Sequence, residues 1–415
     1  MDDRYDIICV GGGIAGAGLA AVMARRGHRC LVLESTTAYP DRTKGEWLAP
    51  WGVLEARRAG LEAEVLSARG HVLTRHVSYD ELVDPAEAES QALDLAMLPG
   101  VAGPLTQRHP DLCQVLLDAA TEAGATCHRG VEVATLALGP TPSITWRTAE
   151  GEPHHNRCRL VVGADGRNSF VRRQLGIALA RDRPHHLFSG LLVDGADDWP
   201  ADTQIIGTEG ELHYLAFPQG GGRVRLYLGF PLDRKRFLSG PDGPRRFVDS
   251  FRFTSVPGSA VLADATPTSP CMTYPNEDAW CDEPYGEGVV LIGDAAGWND
   301  PIIGQGLSIT MRDIRVVSEL LCASDTWTPQ DLVRYGLERS ERMRRLRFTA
   351  ALVSRLQNEF GAEARERRQR FRAAIAADPS LALSSATAMI GPDFPPPDAF
   401  TPERWQLLGA CPRLC

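Results

Sequence analysis

Near the start of the chain stands Gly11-Gly12-Gly13-Ile14-Ala15-Gly16, placed after the apolar run Tyr5 to Val10 and before the helically spaced Leu19 to Arg26. In such a turn Gly11 lets the backbone reverse, Gly13 lets it approach a pyrophosphate, and Gly16 lets helix and strand pack closely. A helix opening there, with Ile14 and Ala15 in its first turn, offers free N–H groups and partial positive charge to phosphates. The next apolar run, Cys30 to Leu33, ends in Glu34, whose carboxylate suits the hydroxyls of a ribose that carries no extra phosphate. These residues predict dinucleotide binding and leave open which dinucleotide; a glycine turn alone also serves plain packing. Two more groups follow strand-like runs. One is Val161-Val162-Gly163-Ala164-Asp165-Gly166-Arg167; the other is Gly293-Asp294-Ala295-Ala296 with Pro301, Gly304, Gln305, Gly306 and Leu307 after it. An Asp before Ala-Ala, taken singly, reads as a helix N-cap.

The elements that must position these groups follow from periodicity. Tyr5 to Glu34 reads as strand, turn, helix, strand, a βαβ unit. Gly52 to Leu66 has helical spacing, His71 to Leu82 the alternation of a strand or hairpin, and Asp111 to Ala123 helical spacing again. Gly130 to Ala137 reads as a strand returning to the first lobe, and Leu160 to Val162 as a short buried strand. From His186 to about Ala265 strands alternate with turn residues, and Gly220-Gly221-Gly222 marks a hairpin before Val224 to Phe230. Gly288 to Ile292 is one more buried strand. The chain is then helical in period from Gln305 to Ala388 and irregular from Gly391.

Composition excludes several classes. At 415 residues two or three interlocked lobes are expected. Hydrophobic content of 43% and charged content of 23% are those of a globular protein. The formal charge of −9 carries no long basic run, the Arg-rich stretch Arg365 to Arg372 being interrupted, so no nucleic-acid partner is expected. The 10 cysteines lack the paired spacing of a zinc site or redox motif, so no metal is expected. No apolar stretch approaches a membrane span and the N-terminus lacks a signal-peptide pattern, which gives a cytoplasmic expectation.

The three motifs, in this order and spacing, make the chain resemble the flavoprotein hydroxylases of which para-hydroxybenzoate hydroxylase is the prototype, over residues 1 to about 325. The resemblance implies an α/β fold. A Rossmann-like FAD-binding domain (1–70, 100–183 and 280–325) would hold an inserted antiparallel-sheet substrate domain (71–99 and 184–279), followed by a helical C-terminal region (326–415). It implies FAD as cofactor, NADH or NADPH as reductant, and dioxygen activated as a flavin C4a-hydroperoxide that passes one oxygen atom to a small organic substrate. That substrate would be aromatic or polycyclic, and the oxygen transfer a hydroxylation or epoxidation. Residue by residue, Gly11, Gly13, Ile14, Ala15, Gly16 and Glu34 would hold the adenosine half. Asp165 and Gly166 would lie near the pyrophosphate, Asp294 at the ribityl chain, and Pro301 at the flavin edge, beside substrate. Gly304, Gly306 and Leu307 would lie beneath the isoalloxazine. Arg108 resembles an arginine reaching the flavin phosphate, Arg42 one beside the adenosine ribose, and Val133 a backbone contact to adenine. The chain departs from the family at Gly297, often His, which would widen space at the pyrimidine end, and at Ser308, often Asn, which puts one flavin hydrogen bond in question.

For the substrate, the strand Glu211 to Phe217 turns His213, Leu215 and Phe217 one way and Leu212, Tyr214 and Ala216 the other, so one face should line the cavity. His213, Tyr214 and Tyr227 are candidates for assisting a phenol proton transfer, against the plainer reading of half-buried strand residues. Among Trp47, Trp51 and Trp298, the last is the best candidate to stack on substrate, since it lies between Asp294 and Pro301. A halogenase on the same fold would need a Trp-x-Trp motif that is missing and a lysine, of which the chain has only Lys44 and Lys235. A prenyl-type reductase is the other enzymatic alternative, since Lys44-Gly45-Glu46 with Leu48 and Pro50 is somewhat like that branch. A non-catalytic flavin-binding module is the alternative outside enzymes. The protein is expected as monomer or homodimer, with the helical tail against the substrate lobe or at a dimer contact.

Overall fold

The computed structural model describes residues 4–41, 43 and 45–408. Its first unit is a parallel sheet. Strand β1 (Ile7–Val10) leads through the glycine turn into α1 (Ile14–Arg25) and back as β2 (Cys30–Glu34). After α2 (Pro50–Ala59), strand β3 (Arg75–Asp80) leaves for a second sheet; α3 (His109–Glu122) then returns the chain as β4 (Thr126–Arg129), and β5 (Leu160–Gly163) follows.

The second sheet is the larger. Its long strands are β6 (His186–Asp194), β7 (Thr203–Glu209), β8 (Leu212–Gly220), β9 (Arg223–Phe230) and β10 (Met272–Asn276). The parallel sheet is completed by β11 (Val289–Leu291). Five helices end the described chain: α4 (Gly306–Ala323), α5 (Pro329–Gln357), α6 (Ala362–Ala377), α7 (Leu383–Ile390) and the short α8 (Pro402–Leu407).

The parallel sheet runs β11-β5-β1-β2-β4, with the short antiparallel strand Tyr285–Gly286 at its edge. Its strands are buried on both faces, as nearly continuous Val, Ile and Leu runs require. Ile7, Cys9, Val32 and Val162 face a core with α1, α3 and α4. Ile8, Val10, Leu31 and Val161 face a three-stranded antiparallel sheet through Ile144 and Trp146. The large sheet runs β6-β9-β8-β7-β3, with β10 also paired to β6; all these pairs are antiparallel except β7 with β3. A separate core beneath it holds Tyr214, Leu226, Leu228, Phe247 and Phe251. Helix α5 joins the main core through Leu332, Tyr335, Met343 and Leu346.

Several sequence expectations need correction. The helix read over Gly52 to Leu66 is two, ending first at Ala59 because Gly60 caps it with φ +75°, and resuming at Glu62–Ser67. The strand read over Gly130 to Ala137 does not return to the parallel sheet. It is Glu132–Ala137 of the three-stranded sheet, and the returning strand is β4, whose Cys127 sits beside Val32. The hairpin at Gly220-Gly221-Gly222 is present, with φ of +81°, +60° and +72° that only glycine adopts at no steric cost. Among the described residues no helix is long and apolar enough to cross a membrane.

Candidate active site

The loop between β1 and α1 is packed to contact distance. A Cβ on Gly16 would fall 2.0 Å from the Gly11 carbonyl oxygen, and one on Gly11, at φ +98°, 2.5 Å from that of Ala164. Nothing lies within 4 Å of where a Cβ of Gly13 would be, so its backbone faces open space at the start of α1. Glu34 braces this loop: one carboxylate oxygen accepts from Gly12 N–H (2.8 Å) and the other from Thr36 N–H and hydroxyl (both 2.8 Å). Asp165 Oδ2 accepts from Phe170 N–H (2.6 Å) and Val171 N–H, while its Oδ1 is buried with no partner. Asp294 pairs with Arg167 at 3.1 Å. Arg172 ties the two motifs together, donating to the carbonyls of Ala295 and Arg167, both at 2.8 Å.

These groups line one cavity of about 1540 Å³. Gly11, Gly13, Ile14, Ala15, Glu34, Val133, Asp165 and Gly166 line it at one end. Asp294, Trp298, Pro301, Gly304, Gly306 and Leu307 line its middle, where α4 presents its N-terminus. The open backbone at Gly13 and the two helix N-termini fit a pyrophosphate, and the orphaned Oδ1 of Asp165, an acceptor, fits a hydroxyl of the dinucleotide that carries it. Arg108 is not in the lining; its guanidinium pairs with Asp41 at 3.4 Å. Arg42 lies outside the described residues. Gly297 does not widen the cavity. Its φ is +108° and a Cβ would strike the Ala279 carbonyl at 2.4 Å, so glycine is required by a strand contact. Ser308 also faces away, against α2, where its hydroxyl accepts Ala49 N–H at 3.2 Å and a Cβ on Gly52 would lie 2.3 Å from its oxygen.

Beyond these residues the cavity continues into an aromatic chamber on the face of the large sheet opposite its separate core, lined by Trp47, Phe188, Leu215, Phe217, Tyr227 and Tyr274. Leu215 and Phe217 are the cavity-facing side of β8. Tyr214 is on the other side, stacked on Phe253 at 4.0 Å and bonded to Ser255, so it faces the core and not the cavity. His213 is buried outside the lining. Its Nδ1 donates to the Gly207 carbonyl at 2.7 Å, and burial lowers its pKa to about 4, which keeps it neutral. Of the three candidates only Tyr227 reaches the chamber. Its hydroxyl donates to the Thr43 carbonyl at 3.1 Å and lies 3.4 Å from Glu46 Oε2. Trp47 lines the chamber with Nε1 bonded to Gln204; Trp51 is core, its Nε1 bonded to Gln305 at 2.7 Å; Trp298 lines the cavity with the guanidiniums of Arg167 and Arg181 over its ring at 4.9 and 5.0 Å.

Sequence reasoning missed Glu46 as a site residue. It is 4% exposed, lines the chamber, and is gripped by Arg225, with Nε–Oε2 at 2.5 Å and Nη2–Oε1 at 2.7 Å. Burial raises its pKa, with Arg225 opposing the rise. The available signal was Arg225 itself. It stands two residues before Tyr227, hence on the same face, in a strand that is otherwise apolar after its half-buried first residue Arg223, and a buried charge calls for a partner.

A family model described as an FAD binding domain matches residues 4–349, most of the chain. Among curated proteins the chain is similar to squalene epoxidase 2, mitochondrial, of Arabidopsis thaliana. They share 25% identity over 77% of this chain, but the match spans only 54% of that relative, and this chain covers roughly that share of the first curated relatives it matches. It is 26% identical to 3-amino-4-hydroxybenzoate 2-monooxygenase PtnB3 of Streptomyces platensis, over 82% of this chain and 85% of that one. Among solved structures, pqsL, a probable FAD-dependent monooxygenase from Pseudomonas aeruginosa, superposes with a TM-score of 0.69 at 22% identity, covering 86% of this chain and 97% of that one.

Proposed function

The chain belongs to the FAD-binding family of flavoprotein hydroxylases, and from that premise we propose that it is an FAD-dependent monooxygenase. It would use NADH or NADPH and dioxygen to place one oxygen atom on an aromatic or polycyclic organic substrate. One observation carries this reading: a single cavity runs from the glycine loop, past the N-terminus of α4, into an aromatic chamber. Gly11 to Gly16, Glu34 and Asp165 would hold the adenosine diphosphate half of FAD, and Asp294 with Gly304 to Leu307 the flavin half. Bound FAD supplies the electron storage and oxygen activation that side chains lack.

The chain's own residues do the rest. Phe188, Leu215 and Phe217 keep water from the chamber, and Trp47 and Tyr274 give a planar substrate ring surfaces to pack on. Tyr227 stays protonated because burial raises its pKa well above the usual phenol range. It therefore acts as a neutral donor and acceptor that can hold a substrate hydroxyl and take up its proton at Oη while passing its own to Glu46 Oε2. Lys235 is exposed and outside the lining, so no described lysine serves halogenation.

The test is direct. The purified protein, reconstituted with FAD, should consume NAD(P)H and oxygen faster with a phenolic or polycyclic substrate present, and give a product heavier by one oxygen atom. Substrate-stimulated NAD(P)H oxidation without oxygen uptake would replace this reading with a reductase. No retention of FAD would sink it altogether.

A further inference from the structure

The chamber has a polar end that the oxygenation reading does not use. Asp80, at the end of strand β3, and Arg368, Phe371 and Arg372 of α6 line the same cavity as Gly13 and Tyr227. Asp80 is 3% exposed and its Oδ2 faces Arg368 Nε at 2.8 Å and Arg372 Nη2 at 2.7 Å. Glu81 next to it takes Arg368 Nη2 at 2.8 Å and Arg365 Nε at 2.8 Å. Two carboxylates thus face three guanidiniums. The surrounding titratable groups do not cancel the excess: Arg75 is already paired with Glu89, and His76 and His213 are held neutral by burial.

Two details show where the surplus lies. Arg368 is 3% exposed, and its Nη1 is buried with no hydrogen-bond partner among the described residues, so that although its charge is paired with Asp80 and Glu81 one end of the guanidinium lacks an acceptor. Arg372 gives Nη2 to Asp80, yet its side chain is 38% exposed on the cavity wall, so it can reach an incoming group. Guanidiniums with free N–H groups beside an apolar chamber suit a carboxylate, which a planar fork binds through paired hydrogen bonds.

We propose that Arg368 and Arg372 form an oxyanion subsite. The substrate is then an elongated molecule whose apolar, ring-bearing part fills the aromatic chamber and whose carboxylate ends on α6. This rests on the chamber being the substrate site of the proposed monooxygenase. It makes α6 the element that selects substrate by charge, while β8 and β9 select it by shape.

The experiment uses the FAD-reconstituted full chain and two homologous series of probes: naphthyl-substituted fatty acids of graded chain length, and the matching primary alcohols. Affinity is read twice, from naphthyl fluorescence and from perturbation of the flavin absorption band. At the best-fitting length the acid should bind about tenfold more tightly than the alcohol, the effect of a charge-assisted hydrogen bond. Arg372→Gln, at a partly exposed position, and Arg368→Gln should each erase most of that preference without changing FAD content, and Asp80→Asn should enlarge it. Equal binding of acid and alcohol by the unaltered protein, or a preference that survives Arg372→Gln, overturns the subsite, even if Arg368→Gln fails to fold. Acid-selective fluorescence that leaves the flavin band unmoved supports the subsite and overturns the placement of the substrate beside the cofactor.

Discussion

Asp300 sits one residue before Pro301 and is 1% exposed, with Oδ1 accepting Ile302 N–H at 2.9 Å and Oδ2 buried without a partner. Burial, then repulsion from Asp278, pushes its pKa up to about 8. A raised carboxyl pKa means the folded state holds a proton that the unfolded state has released, so this contribution is whole below about pH 4 and fades as pH climbs through 8. Asp300→Asn keeps the Oδ1 cap and removes the charge. It should leave Tm nearly unchanged at pH 3.5 and raise it increasingly toward pH 8.5; thermal unfolding across that range checks the sign. Tyr227→Phe should lower kcat on a phenolic substrate about 100-fold and raise KM, since both the proton handling and the hydrogen bond to the substrate hydroxyl are lost. Glu46→Gln is different in kind: it strands Arg225 and should cost about 3–5 kcal/mol of stability, measurable by denaturant unfolding. At this scale the motif residues were legible because glycine and aspartate spacing reflects backbone contacts within a few residues. Glu46 and Tyr214 were not, because partner and facing depend on a strand some 180 positions away and on which sheet face is covered.

Among elements, the surprise is α5. Arg339 is fully buried and donates to the carbonyls of Ala296 (2.9 Å), Gly297 (3.0 Å) and Gly293 (3.3 Å). Asp313 of α4, also fully buried, accepts Gly293 N–H at 2.8 Å and pairs with both Arg339 and Arg342. A helix read from sequence only as a tail therefore clamps the Asp294 loop from behind. Arg339→Met should leave helix content intact, lower Tm, and weaken FAD binding about tenfold, seen by flavin fluorescence titration, because loop carbonyls lose their donors. Gly16→Ala pushes α1 off the loop and should abolish flavin retention. Helix periods were readable along α1, α3 and α4. The identity of what α5 grips was not, because an arginine at a helical position looks the same whether it meets solvent or a buried carbonyl.

On the scale of the molecule, β3 is the telling feature. It leaves the stretch that builds the cofactor end and pairs in parallel with β7, Arg75 beside Thr203 through Asp80 beside Thr208. The antiparallel character of the large sheet was legible from alternation and glycine turns. This long-range parallel pair was not, since nothing local encodes it. The last helices matter here too. Phe371 and Met389 line the cavity, so a chain ending at Gln357 should still take up FAD through its main core but oxidise NAD(P)H wastefully; the ratio of oxygenated product to NAD(P)H consumed measures the loss. The stitch between β3 and β7 also governs how such a protein can be recombined. A chimera of two relatives joined anywhere between Asp80 and Thr203 takes one edge of this pair from each parent. Swapping the substrate sheet as a single cassette would break its register, so a viable graft must carry both segments together.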